Sequence, residues 1–148
     1  MRFYLDTCSL NRPWDDQSQV RVHLEAEAVL YFVSEARQGR LEMVSSGYLI
    51  EEILQTQDQK RRDDLLALTA PAAIYVPASD DLLLSSKSFA ACNIQDYDAL
   101  HVAVALAAQC DYFFTTDHKL LKRGQRADSL QKLKFLNPAD WPPETDIP

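Results

Sequence analysis

Carboxylates occupy the positions where this chain could do chemistry. Asp6 follows the apolar run Phe3-Tyr4-Leu5, and Asp117 follows Tyr112-Phe113-Phe114-Thr115-Thr116. Both have hydroxyl neighbours, Thr7 for the first and Thr115-Thr116 for the second. Asp96 and Asp98 open a segment whose interior reads Ala99-Leu100-His101-Val102-Ala103, and Glu51 and Glu52 follow Ser45-Ser46 in a predicted helix. Taken singly, an Asp at a helix start is an ordinary cap or dipole partner, worth about 1 kcal/mol, and Glu51 or Glu52 alone is an ordinary solvated helix residue. Asp6 is different, because a carboxylate ending a central hydrophobic strand is costly to desolvate without a partner. Several such acids brought together repel one another unless a cation sits between them. Oxygen ligands with no companion Cys or His cluster suit Mg²⁺ or Mn²⁺ rather than zinc. Such an ion lowers the pKa of a bound water, orients it and screens a phosphodiester. Phosphodiester hydrolysis is the chemistry these residues predict.

The elements that must position these acids alternate along the chain. Short apolar strands are expected at Arg2–Leu5, Leu41–Val44, Ile74–Val76 and Asp111–Thr115, with a fifth at Lys134–Leu136. Helices are expected between them. The longest runs over 17–37, with Leu24, Ala28, Tyr31 and Val33 at helical spacing and Glu25, Glu27 and Glu35 between them. The others cover 47–57, 61–68, Ser79 to about Ala91, 96–109, and a short stretch after Asp117. Ser46 and the Ser79-Asp80-Asp81 group are suited to cap helix starts. The 96–109 segment is apolar almost all round and should be buried. This alternation predicts an α/β fold, a three-layer α/β/α sandwich on a mainly parallel sheet of four or five strands. In such sheets function gathers at the carboxyl ends of the strands, where Asp6 and Asp117 fall. The domain is expected to cover residues 1–137, followed by an extended tail at 138–148 that holds four of the seven prolines.

The chain of 148 residues carries a net charge of −7, from 15 basic and 22 acidic side chains. That excludes a wholesale basic nucleic-acid binder but not a local basic surface. Lys119, Lys122, Arg123, Arg126, Lys132 and Lys134 form one such group, and Lys60-Arg61-Arg62 another; solvated helix faces explain them equally well. No apolar run approaches the roughly 20 residues of a membrane span. The start MRFYLDTCSL meets an acid before any signal-like stretch, so a cytoplasmic location is expected. Cys8, Cys92 and Cys110 are odd in number and far apart, implying neither a disulfide framework nor a zinc site.

Four motifs in order resemble a PIN domain: Tyr4-Leu5-Asp6-Thr7, Ser45-Ser46 with Glu52, Tyr97-Asp98-Ala99-Leu100-His101-Val102-Ala103, and Phe114-Thr115-Thr116-Asp117. Within that family the chain is most similar to the small single-domain VapC toxins, over about residues 1–137. The resemblance implies an α/β/α sandwich and Mg²⁺- or Mn²⁺-dependent cleavage of RNA by an acidic quartet. It places Asp6, Asp98 and Asp117 as metal-holding acids and Glu52 as the remaining member; Glu51 competes for that position, and helix periodicity does not separate the two. Asp96 is implied as an outer ligand and Thr115 as a supporting hydroxyl. It also implies an antitoxin protein that holds the toxin inactive by inserting a segment, such as an arginine, into the acidic pocket, and a homodimer.

Two departures from the family pattern stand out. Cys8 replaces the small polar residue common two positions after the first aspartate, and the segment Asn11-Arg12-Pro13-Trp14-Asp15-Asp16 is distinctive. Arg12, Lys119 and Lys122 are candidate RNA contacts, as is Trp14, which packing on the following helix explains as well. His101 reads as a packed histidine and His118 as an exposed one. The competing function is a PIN-like module that binds RNA or protein without cutting, which would show no Mn²⁺ affinity dependent on Asp6 and Asp98. A phosphatase or dehalogenase would need Asp-x-Asp, which Asp6-Thr7-Cys8 lacks.

Overall fold

Phe3, Tyr4 and Leu5 are all buried, so the strand that holds them is covered on both faces. In the computed structural model, which describes residues 1–142, that strand is β1 (Arg2–Leu5). It pairs with β2 (Glu42–Ser46) on one side and β4 (Tyr112–Phe114) on the other. Strands β3 (Ile74–Val76) and β5 (Lys134–Leu136) form the edges. The five strands run in the order β3-β2-β1-β4-β5, and every neighbouring pair is parallel. The fold class predicted from the alternating pattern is therefore the one observed, with five strands and no antiparallel pair among the described residues.

The helices are α1 (Thr7–Asn11), α2 (Val20–Arg37), α3 (Gly47–Leu54), α4 (Gln59–Thr69), α5 (Asp80–Ser86), α6 (Asp96–Ala107) and α7 (His118–Arg126). Helix α2 covers one face of the sheet: the Phe32 ring lies 5.3 Å from Phe3 and 4.4 Å from Phe114. Helix α6 covers the other, with His101 5.4 Å from Tyr4, which in turn stacks on Phe113 at 5.6 Å. Alternation along β1 thus sends Phe3 one way and Tyr4 the other. The chain builds β2 and β3 on one side of β1, then crosses back to build β4 and β5 on the other. The reversal falls between β1 and β4, and the crevice beyond their carboxyl ends is where such sheets bind ligands.

Three expectations need correction. The buried face of α2 is Val22, Ala26, Val29, Phe32, Val33 and Ala36, while Leu24 and Tyr31 are about half exposed. Apolar residues line more than one stripe of this helix, so spacing alone could not choose the inner one. Glu25 also points inward, held by Arg12 (3.0 Å), Arg21 (3.5 Å) and Asn137. Second, α1 was not foreseen, because a helix of five residues is too short to show a periodic signal. Third, the domain does not stop at residue 137. A 3-10 turn spans Pro138–Asp140, and the Trp141 indole packs edge-on against Phe32, Tyr112 and Phe114. The rest of the expected tail, 143–148, lies outside the described residues.

Candidate active site

The crevice between β1 and β4 holds a cleft of about 490 Å³ lined by Asp6, Thr7, Cys8, Asn11, Arg12, Asp15, Glu52, Asp98, His101, Thr116 and Asp117. Four acids far apart in sequence meet there, each set by the start of a helix or by the turns just after it. Asp6 directly follows β1; its N–H donates to Phe114 O (3.2 Å), fixing it beside β4. Its Oδ1 caps α1 by accepting from Ser9 N at 3.0 Å. Asp117 caps α7 through Oδ1, which accepts from Lys119 N (2.9 Å) and Leu120 N (3.3 Å). Asp98 lies in the first turn of α6. Glu52 lies on α3, whose own cap is Ser46.

The cap reading and the site reading of these aspartates are compatible, since a cap uses one carboxylate oxygen and leaves the other. For Asp6 that second oxygen, Oδ2, is buried with no hydrogen-bond partner among the described residues. Burial raises the Asp6 pKa; the nearby Thr115 hydroxyl and the Ser9 bonds only ease this. Thr115 itself is fully buried and accepts from Asp117 N at 3.1 Å, so it braces the site from behind. Asp98 is pushed up to about 6, by burial first and then by the charge of Asp6, with Asp117 and Glu52 adding to it against the opposing pull of His101. The Cys8 thiol is pushed up to about 12 by partial burial and by the charges of the same four acids. Glu52 goes the other way: burial would raise its pKa, but hydrogen bonds from His101 and Thr7 outweigh that and hold it low.

No lysine or arginine among the described residues forms an ion pair with Asp6, Glu52, Asp98 or Asp117. Arg12 reaches the cleft wall, but its guanidinium is bound to Asp15 (2.8 Å) and Glu25 (3.0 Å). Among the described residues no three carboxylate, imidazole or thiol groups are already spaced to hold one ion. The acids line one cleft without closing on a single point. The donor set nevertheless fits a hard cation: carboxylate oxygens only, one of them buried and unpartnered, and mutual repulsion that a cation would relieve.

The other expected residues divide. Glu52 faces the cleft, whereas Glu51 is exposed and accepts from Tyr97 Oη at 2.8 Å, which separates the two. Asp96 is exposed and lines a different cavity, with Leu83, Lys87 and Ile94. Lys122 lines a trough beside the cleft that shares Arg12 and Thr116 with it. Lys119 is exposed on the same helix, and Trp14 is partly buried against the core. His101, read as packing, is buried but also bonded to Glu52 at 2.9 Å. Thr7, which donates to Glu52, and Tyr4, whose hydroxyl lies 2.6 Å from His101 Nδ1, carried no signal in the sequence beyond their motif positions.

No family model matches the sequence, and no curated protein matches it. Solved structures do. A chain of VapBC2 from Rickettsia felis, solved bound to a DNA fragment from its promoter, is 15% identical, with 93% of this chain and 98% of that chain covered at a TM-score of 0.55. A chain of VapBC-1 from nontypeable Haemophilus influenzae is 14% identical, with 93% and 98% covered at a TM-score of 0.53. Over nearly its whole length, this chain has the fold found in the VapBC structures, as its resemblance to PIN domains implied.

Proposed function

We propose that this protein is a metal-dependent endoribonuclease and the toxin of a toxin–antitoxin pair. The observation that carries the reading is the gathering of Asp6, Glu52, Asp98 and Asp117 in one cleft, with no lysine or arginine among the described residues paired to them. Asp6, Asp98 and Asp117 would hold Mg²⁺ or Mn²⁺, with Glu52 completing the set. Such an ion supplies an activated water and a counter-charge for the phosphodiester in transit. Asp6 and Asp117 are anchored by the caps they form, so each offers its remaining oxygen from a fixed backbone position. Asp98 lies in the first turn of α6 and accepts no hydrogen bond from the described residues, so its carboxylate oxygens are available to a cation. Glu52, held ionised, keeps a full negative charge at the cleft wall.

The RNA backbone has a matching surface. Lys119, Lys122, Arg123 and Arg126 recur at i, i+3, i+4 and i+7 on α7 and are all exposed, while Leu120 and Gly124 face inward. The stripe starts beside Asp117 and runs about 10 Å at 1.5 Å per residue. None of the four has an ion-pair partner among the described residues. Phosphate contacts of this kind position a strand without reading its sequence.

The VapBC likeness supports an antitoxin as partner, and an arginine offered to the acidic cleft is the chemistry that would block it. A homodimer remains part of this proposal, and light scattering tests it. No described helix is long and apolar enough to cross a membrane. The deciding experiment is RNA cleavage by wild type and Asp6→Asn with and without Mn²⁺. Cleavage that needs the metal and vanishes in a folded Asp6→Asn supports the reading; full cleavage by that variant overturns it.

A further inference from the structure

We propose that His101 is a positioning residue, which, steadied by the Tyr4 hydroxyl, fixes the Glu52 carboxylate with one oxygen tied back and the other left for the cation. This rests on the nuclease reading above. The geometry assigns the proton positions. A carboxylate oxygen accepts, so His101 Nε2, 2.9 Å from Glu52 Oε1, is the donor of this bond. In the tautomer with hydrogen on Nε2, Nδ1 accepts, and the Tyr4 O–H 2.6 Å away donates to it. Tyr4 is fully buried, which keeps its phenol protonated and able to donate. The Tyr4 oxygen accepts in turn from Ser46 Oγ at 3.1 Å. Ser46 Oγ accepts from Leu49 N at 3.0 Å as the cap of α3.

The path closes on itself, because α3 also carries Glu52. It ties together three elements that each deliver an acid. Tyr4 stands two residues before Asp6, and His101 stands three after Asp98, on the same side of α6. Thr7, next to Asp6, donates to the same Glu52 oxygen that His101 binds. Oε1 is therefore held from two sides, while Oε2 accepts no hydrogen bond from the described residues. A histidine retained only for packing would not need a carboxylate on one nitrogen and a buried phenol on the other. Partners of this outer kind commonly change metal affinity by about 10–100-fold when removed.

The test is Mn²⁺ affinity, by calorimetry and by the Mn²⁺ spin-resonance signal, for wild type, H101M, H101Q and Y4F, with a thermal melt of each in EDTA. Methionine fills the space without a donor, and glutamine restores an N–H near the Nε2 position. The expected result is about 10–100-fold weaker Mn²⁺ binding in H101M, recovery of most of that loss in H101Q, and a smaller loss in Y4F. At saturating Mn²⁺, RNA cleavage by H101M should lose kcat rather than gain in KM. Wild-type affinity in folded H101M and Y4F overturns the role of His101 while leaving the nuclease reading in place. If H101M does not fold, Y4F alone decides, since its ring can keep the stack on Phe113, and unchanged affinity there overturns the role. Wild-type protein that binds no Mn²⁺, or binds it equally after D6N, overturns the nuclease reading and this role with it.

Discussion

Replacing Asp98 with Asn should make the metal-free protein more stable. The folded protein holds the Asp98 proton up to about pH 6, against a reference value of 3.8. The folded state therefore binds more protons than the unfolded state across that window, and stability falls as pH rises through it. The cost is absent below about pH 4 and complete above about pH 6. A shift of this size corresponds to about 3 kcal/mol at 1.36 kcal/mol per unit, and solvent screening of a partly exposed side chain reduces it to about 1–2 kcal/mol. One term opposes the gain: Asp98 lies in the first turn of α6, where a negative charge is favoured by about 0.3–1 kcal/mol. The combined cost of burial and of the neighbouring charges is the larger of the two. At about 2–4 °C per kcal/mol for a chain of this size, Asp98→Asn should raise Tm by a few degrees at pH 7.5 in EDTA and leave it unchanged near pH 4. Adding Mn²⁺ should reverse the order, because a ligand at 100 times its Kd stabilises by about 2.7 kcal/mol and the variant has lost a ligand. Calorimetric melts at the two pH values, with EDTA and with Mn²⁺, make the measurement. A variant no more stable than wild type at pH 7.5 in EDTA would refute the argument that burial and the neighbouring acids make the Asp98 charge costly without a cation.

Changing Lys119, Lys122, Arg123 and Arg126 together to Gln, on an Asp6→Asn background that cannot cut, should weaken RNA binding and flatten its salt dependence. At about 0.7 per phosphate contact on a single strand, the slope of log K against log salt should fall by up to about 3, and an unchanged slope in a filter-binding titration would remove the α7 surface from the RNA path. Gly124→Ala should destabilise the fold although alanine is the better helix former. Its Cβ would lie 2.3 Å from Phe135 Cδ2, and overpacking of about 1–3 kcal/mol outweighs a propensity gain of about 1 kcal/mol; a denaturant melt with an unchanged midpoint would contradict this.

Much of the architecture was already present in local patterns. The unbroken apolar runs of β1 and β4 could only be buried strands, and Ser46 and Ser79 marked helix starts that the structure keeps. The acids themselves were legible as types at strand ends, and their order resembled one family. Local sequence could not say which way a side chain turns. Glu51 and Glu52 are adjacent, and only the packing of α3 against α6 turns one toward His101 and leaves the other with Tyr97. Asp96 and Asp98 are equally acidic, yet they line different cavities. The tail residue Trp141 carries no periodic signal; its place is set by contact with Phe32 and Tyr112, more than a hundred and about thirty positions away. Residue types and spacing determine which chemistry is available and which segments become strands and helices, because those depend on near neighbours. The meeting of Asp6, Glu52, Asp98 and Asp117, and the tie through Tyr4 and His101, depend on the order in which parallel strands pair, and that is decided only when the sheet is assembled.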